Sequence, residues 1–170
     1  MKKKKVLEEL RKTFPKNQLE LRVDANGAFS TEKARIVLEE LAFLDIHSIE
    51  QPIKAGNPEE MALLCASTPT PIALDEELIG ITELEEKQKL LEIIKPQYII
   101  LKPSLVGGIS GSDEWIALAE EQNIGWWITS ALESNIGLNA IAQYTYTKKK
   151  IRCHKVWAPE LYLRIIHHPA

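Results

Sequence analysis

Four charged residues recur along the chain at nearly constant spacing. Asp24, Glu50, Asp75 and Lys102 are separated by 26, 25 and 27 residues. Each closes or directly follows a short apolar run, over 19–23, 46–50, 71–74 and 98–101. Between the runs lie stretches with apolar residues at helical spacing, such as Ile36, Leu38, Leu41 and Leu44. A period of that length is one strand plus one helix, and strands joined through helices are parallel. The spacing therefore predicts that all four charges sit at the same end of one parallel sheet. In a closed barrel such ends converge on a single site, whereas in an open sheet they lie in a row.

The remaining pattern agrees. A helix is expected over 3–14, ended by Pro15, followed by five strand–helix units. The other helices are expected over 31–44, from Asn57-Pro58 onward, and over 82–94, 113–123 and 135–146, with a fifth strand over 125–129. At 170 residues, a single core-forming domain is expected. Lys and Arg total 21 against 24 Asp and Glu, so the net charge of −3 offers no pull toward nucleic acid or an anionic membrane. Cys65 and Cys153 are too few for a disulfide scaffold or a zinc site, which suits a reducing, cytoplasmic compartment. Glu8, Glu9 and Arg11 stand where a signal peptide needs apolar residues.

Three carboxylates brought to one mouth repel unless a cation lies between them. A donor set of oxygens alone, several of them carboxylates, suits Mg²⁺. Taken singly, Asp24 reads as a turn or cap residue, and Asp75-Glu76-Glu77 as an acidic surface turn. Lys102 reads as a solvated edge residue or a Schiff-base lysine. Their recurrence at one period favours a shared cation site. The Gly-rich stretch 107–111 lacks the Lys-Ser/Thr of a phosphate loop and is expected to be a flexible connection. The polar stretch 130–134 suits either a substrate carboxylate or a helix cap. His47, His154, His167 and His168 form no pattern, and Trp126-Trp127 reads as core.

The segments Val23-Asp24-Ala25-Asn26-Gly27-Ala28-Phe29, Ile49-Glu50-Gln51-Pro52, Ala73-Leu74-Asp75-Glu76 and Leu101-Lys102-Pro103 resemble the barrel of the enolase superfamily. The run from Ile128 to Leu138 resembles its o-succinylbenzoate synthase branch. The resemblance covers about residues 3–147. It implies an α/β fold, a partial TIM-like (β/α) barrel spanning about strands 3 to 7 of the family barrel, without the capping domain. It implies Asp24, Glu50 and Asp75 as Mg²⁺ ligands and Lys102 as the catalytic sixth-strand lysine. Asn26, Ser130 and Glu133 would position the substrate, a small carboxylate. The implied reaction is a dehydration through a metal-stabilised enediolate in menaquinone biosynthesis, for which the family base is a lysine of a Lys-x-Lys motif.

Some features depart from the family. Lys3 and Lys5 fall within the first helix and are not that motif, and residues 148–170 do not resemble the family's last strand. Residues 1–147 are thus expected to form an incomplete barrel domain and 148–170 a tail. Unpaired sheet edges would favour self-association. The expectation is a chain that lacks appreciable activity alone. The alternatives are a racemase or dipeptide epimerase of the same superfamily, a non-catalytic metal-binding α/β unit and, more distantly, a Schiff-base aldolase.

Overall fold

Five strand–helix units follow an initial helix. The computed structural model describes residues 2–148 and 163–164. The order is α1 (Lys2–Thr13), β1 (Arg22–Asp24), α2 (Thr31–Ala42), β2 (Ser48–Glu50), α3 (Pro58–Ser67), β3 (Ile72–Leu74), α4 (Leu84–Ile94), β4 (Tyr98–Leu101), α5 (Gly108–Glu121), β5 (Gly125–Ile128) and α6 (Asn135–Thr147). A short 3₁₀ turn, Glu76–Leu78, follows β3. β4 spans the whole of its apolar run, whereas the other strands are one or two residues shorter than the runs that announce them.

All pairings are parallel, in the order β5-β4-β3-β2-β1-β6, where β6 is Leu163–Arg164. The expected five strands are present, and β6 adds a sixth on the free side of β1. Within the segment 148–170, expected to be a tail, Lys148, Leu163 and Arg164 are described; the rest lies outside the described residues. No helix among the described residues is long and apolar enough to cross a membrane.

The register sorts the strand residues onto two faces, because paired residues of parallel strands point the same way and neighbours alternate. Val23, Ile49, Ile72, Leu74, Ile99, Leu101, Trp126 and Ile128 form the helix-covered face, and all are buried. They pack with Leu38, Leu41, Met61, Leu64, Leu91 and Ile116 in one core. Arg22, Asp24, Glu50, Ala73, Tyr98, Gly125 and Trp127 occupy the opposite face. That face is concave. The Arg22 guanidinium lies 4.1 Å from the centre of the Trp127 ring, although β1 and β5 are separated by three strands. At about 4.8 Å per strand, a flat sheet would hold them roughly 19 Å apart. The sheet is therefore curled as a sector of a barrel wall.

The expected helix over 113–123 begins five residues earlier, at Gly108. The glycines of 107–111 form its cap and first turn, not a flexible connection. A Cβ at Gly111 would fall 2.2 Å from the Val106 carbonyl oxygen. Glycine at this position allows α5 to seat against its own entry loop, a close approach that reads in sequence as a breaker. The tryptophan pair also divides. Trp126 is buried among the helices, whereas Trp127 is half-buried on the concave face, near Tyr98 and His47.

Candidate active site

Each charged residue of the periodic set leaves its strand at the C-terminal end. Asp24 and Glu50 end β1 and β2 and are paired in register. Asp75 follows β3, and Lys102 follows β4. The common register and the curl of the sheet carry all four onto the concave face. The Lys102 ammonium forms ion pairs with Asp75 and, at 3.3 Å, with Glu50 Oε1. Asp24 accepts a 2.8 Å hydrogen bond from the Asn26 N–H, which turns the loop after β1 back over the site. Asn26 then donates from Nδ2 to Glu76 Oε1 at 2.9 Å. The structure thus gathers Asp24, Asn26, Glu50, Asp75 and Lys102 at one end of the sheet. Asp75 is buried, so the acidic stretch after β3 is no surface turn.

The electrostatics follow from burial. Glu50 is pushed up to about 8, first by desolvation, then by the charge of Asp24, with Lys102 opposing and Asp75 adding to the rise. For Lys102, burial alone would favour the neutral amine. The hydrogen bond to Asp75 and the charges of Glu50 and Asp75 outweigh it, and the ammonium is held above its ordinary range. Glu76 is raised by burial and by Asp75. Its Oε2 is buried without a hydrogen-bond partner. Burial thus raises the proton affinity of Glu50 and Glu76 even with the Lys102 ammonium beside them.

A pH dependence follows directly. Between 4.5, the ordinary value of a glutamate, and about 8, folded Glu50 holds a proton that the unfolded chain has released. Stability of the cation-free chain should therefore fall as pH rises through that window. Urea midpoints measured from pH 4.5 to 8 should decline, and Glu50→Gln should flatten the decline. Equal slopes in the two proteins would show that Glu50 is not the titrating group.

The donor set fits a hard divalent cation in its chemistry: oxygen ligands, buried carboxylates of raised proton affinity and one orphaned carboxylate oxygen. Among the described residues, however, no three His, Cys, Asp or Glu side chains are drawn close enough to grip a metal as they stand. Instead, the Lys102 ammonium bridges Glu50 and Asp75.

The loop after β5 is organised by its own bonds. Glu133 accepts from Ser104 Oγ at 2.5 Å and from the Ala131 N–H at 2.7 Å. Its burial is slight, and the hydrogen bonds from Ser104, Ala131 and Ser130 hold it below the usual carboxylate range. Ser134 caps α6, with its Oγ accepting from the Gly137 N–H. The stretch thus supplies the cap, while Ser130 and Glu133 bind within the loop and to the loop after β4. Gln51, which the motif pattern does not single out, and Glu77, expected in an acidic surface turn, are both buried beside the carboxylates. The one sequence signal for Gln51 is the odd position of Glu50-Gln51-Pro52, which closes a strand without a capping role.

A curled parallel sheet with buried carboxylates and a lysine at successive strand ends defines a domain of the (β/α)-barrel class. Residues 2–169 match the Enolase C-terminal domain-like family, and the chain belongs to that family. It is 56% identical over 140 residues to an o-succinylbenzoate synthase of Desulfotalea psychrophila, covering 82% of this chain and 38% of that protein. The crystal structure of MenC from the same organism superposes with a TM-score of 0.86 at 51% identity, covering 95% of this chain and 45% of that one. An N-succinylamino acid racemase of Thermus thermophilus is 34% identical over 132 residues, which cover 78% of this chain and 34% of the racemase. The chain spans less than half the length of these relatives.

Proposed function

We propose that this chain carries the metal-and-lysine part of an o-succinylbenzoate synthase type lyase active site. The observation that carries the reading is the convergence of Asp24, Glu50, Asp75 and Lys102 at four consecutive strand ends, in a chain 56% identical to such a synthase. Asp24, Glu50 and Asp75 would hold Mg²⁺, and Lys102 would stand beside it. A proton next to a carboxylate is barely acidic, and its removal requires the developing negative charge to be neutralised. When bound, the metal supplies that positive charge.

Lys102 has a distinct role. Held protonated by Asp75 and Glu50, it offers a fixed positive charge to the substrate and does not serve as the base. Asn26, fixed by Glu76, and the loop bearing Ser130 and Glu133 would orient a small carboxylate substrate. Loss of the proton and of a hydroxide, together one water, from a hydroxylated cyclohexadiene carboxylate would then leave an aromatic ring. Among the described residues, Lys102 is the one amine paired with the carboxylate cluster. The 170-residue chain by itself is thus expected to bind the cation and turn over little or no substrate.

A thermal melt tests the reading. With cation at about 100 times its dissociation constant, the folded state should gain roughly 2.7 kcal/mol. The gain should disappear in Asp75→Asn. A melt indifferent to Mg²⁺ would remove the proposal. Formation of o-succinylbenzoate in the same sample would overturn the expectation of little turnover while supporting the lyase reading. The 34% identity to a succinylamino acid racemase supports a second one, racemisation of succinylated amino acids. In melts with Mg²⁺, added o-succinylbenzoate should stabilise the chain further if the lyase reading holds, and a succinylated amino acid should do so if the racemase reading holds.

A further inference from the structure

Gln51 is fully buried and has the backbone of a left-handed residue, with φ of 37°. Neither property is ordinary for glutamine, and nothing in the chemistry above uses it. Its side chain makes four hydrogen bonds. Oε1 accepts from the N–H groups of Asp75 at 3.1 Å and Glu77 at 3.3 Å. Nε2 donates to the Ile53 carbonyl at 3.1 Å and to Glu77 Oε2 at 3.0 Å. That uses both amide hydrogens and both oxygen lone pairs. Its backbone is tied as well, donating to the Ala73 carbonyl and accepting from the Gly27 N–H. Glu77 completes the knot by accepting from the Gly56 N–H at 2.9 Å. One residue thus joins the loops after β1, β2 and β3. It is the chain neighbour of Glu50 and grips the backbone of Asp75.

We infer that Gln51, with Glu77, is a positioning pair that sets the separation of Glu50 and Asp75 for a divalent cation. The inference rests on the metal reading given above. Partners behind metal ligands orient the ligands, and their loss costs affinity without removing a ligand. The strained backbone at Gln51 turns the chain directly after Glu50, so that the side chain meets the loop that presents Asp75.

Gln51→Glu separates positioning from simple charge. It adds a negative charge near the cation site, so Coulomb attraction alone would tighten binding. Positioning requires the opposite, because the amide donors to Glu77 and Ile53 are lost and two carboxylates face each other. The double swap Gln51→Glu/Glu77→Gln returns a donor to face an acceptor, at the original net charge. Mn²⁺ binding to the full chain would be followed by electron paramagnetic resonance at pH 8. Urea midpoints in chelator would verify folding.

The dissociation constant should rise on the order of 10–100-fold in Gln51→Glu, and the swap should recover most of the loss. If Gln51→Glu does not fold cooperatively, Glu77→Gln carries the same expectation of weakened binding. A folded variant that binds Mn²⁺ as tightly as the original chain, or tighter, overturns the inference. A loss that the swap does not recover also overturns it, since general disruption would then suffice. Failure of the unaltered chain to bind Mn²⁺ would instead bring down the metal reading, and this inference with it.

Discussion

Lys102→Met should destabilise the cation-free chain at pH 8 by about 3–5 kcal/mol, the usual cost of removing one partner of a buried ion pair. The Lys102 ammonium is 17% exposed, and its partners Asp75 and Glu50 are 3% and 10% exposed. Methionine keeps much of the volume of the lysine stem, so the loss is chiefly one of charge. Asp75 and Glu50 would be left facing one another without the ammonium that bridges them. The native carboxylates would then hold protons more tightly, so the penalty should shrink as pH falls toward 5. Urea unfolding of both proteins across pH 5–8 measures this. A divalent cation should recover part of the loss in the variant, because it supplies the missing charge to the same oxygens. Equal stability at pH 8 would mean that the carboxylates do not depend on Lys102.

Trp115→Ala should cost about 3–5 kcal/mol, in the range of large-to-small core substitutions. Trp115 lies on α5 and is fully buried. Its ring centre is 5.6 Å from the ammonium of Lys87, itself 1% exposed and paired with Glu114 at 2.6 Å. Removing the indole opens a void and uncovers a buried charge at once. Trp115→Phe should cost much less. It retains most of the ring and removes an indole N–H that is buried without a partner. Chemical denaturation of the two variants resolves the difference. Similar losses for both would place the energy in the outer part of the indole, which phenylalanine does not reach, and not in the bulk of the buried side chain.

Much of this architecture is legible in the linear chain, for a local reason. Asp24, Glu50, Asp75 and Lys102 mark the period of a repeating unit, and the β-strand alternation turns that period into a common face. Short apolar runs between amphipathic helices leave few alternatives to a parallel sheet. The boundaries were less legible where tertiary contact overrides local preference. The helix that begins at Gly108 is an instance, since its glycines answer to the Val106 carbonyl and not to helix propensity. Trp127 is another. Its neighbour Trp126 goes under the helices, and strand alternation sends Trp127 to the concave face, where Arg22 meets it.

At the site the division is the same. The residue types and their spacing predicted a cluster of carboxylates with a lysine, because that information is periodic. The support beneath it was not visible. Glu76 and Glu77 read as surface acids until the 3₁₀ turn after Asp75 folds them inward. The sequence marks Gln51 only through the odd position of Glu50-Gln51-Pro52 and not its role, because its four side-chain hydrogen bonds go to residues 53, 75 and 77.

The sequence by itself determined the unit of construction, the parallel direction of the strands and the end of the sheet at which the charges collect. These follow from period and hydrophobic pattern, which act within one strand–helix unit. Only the tertiary structure decided the curl that brings Arg22 to Trp127, the bridging of Glu50 and Asp75 by Lys102, and the raised proton affinity of Glu50. Each of these is a property of separation and burial between residues far apart in the chain, and such quantities exist only once the sheet has closed over them.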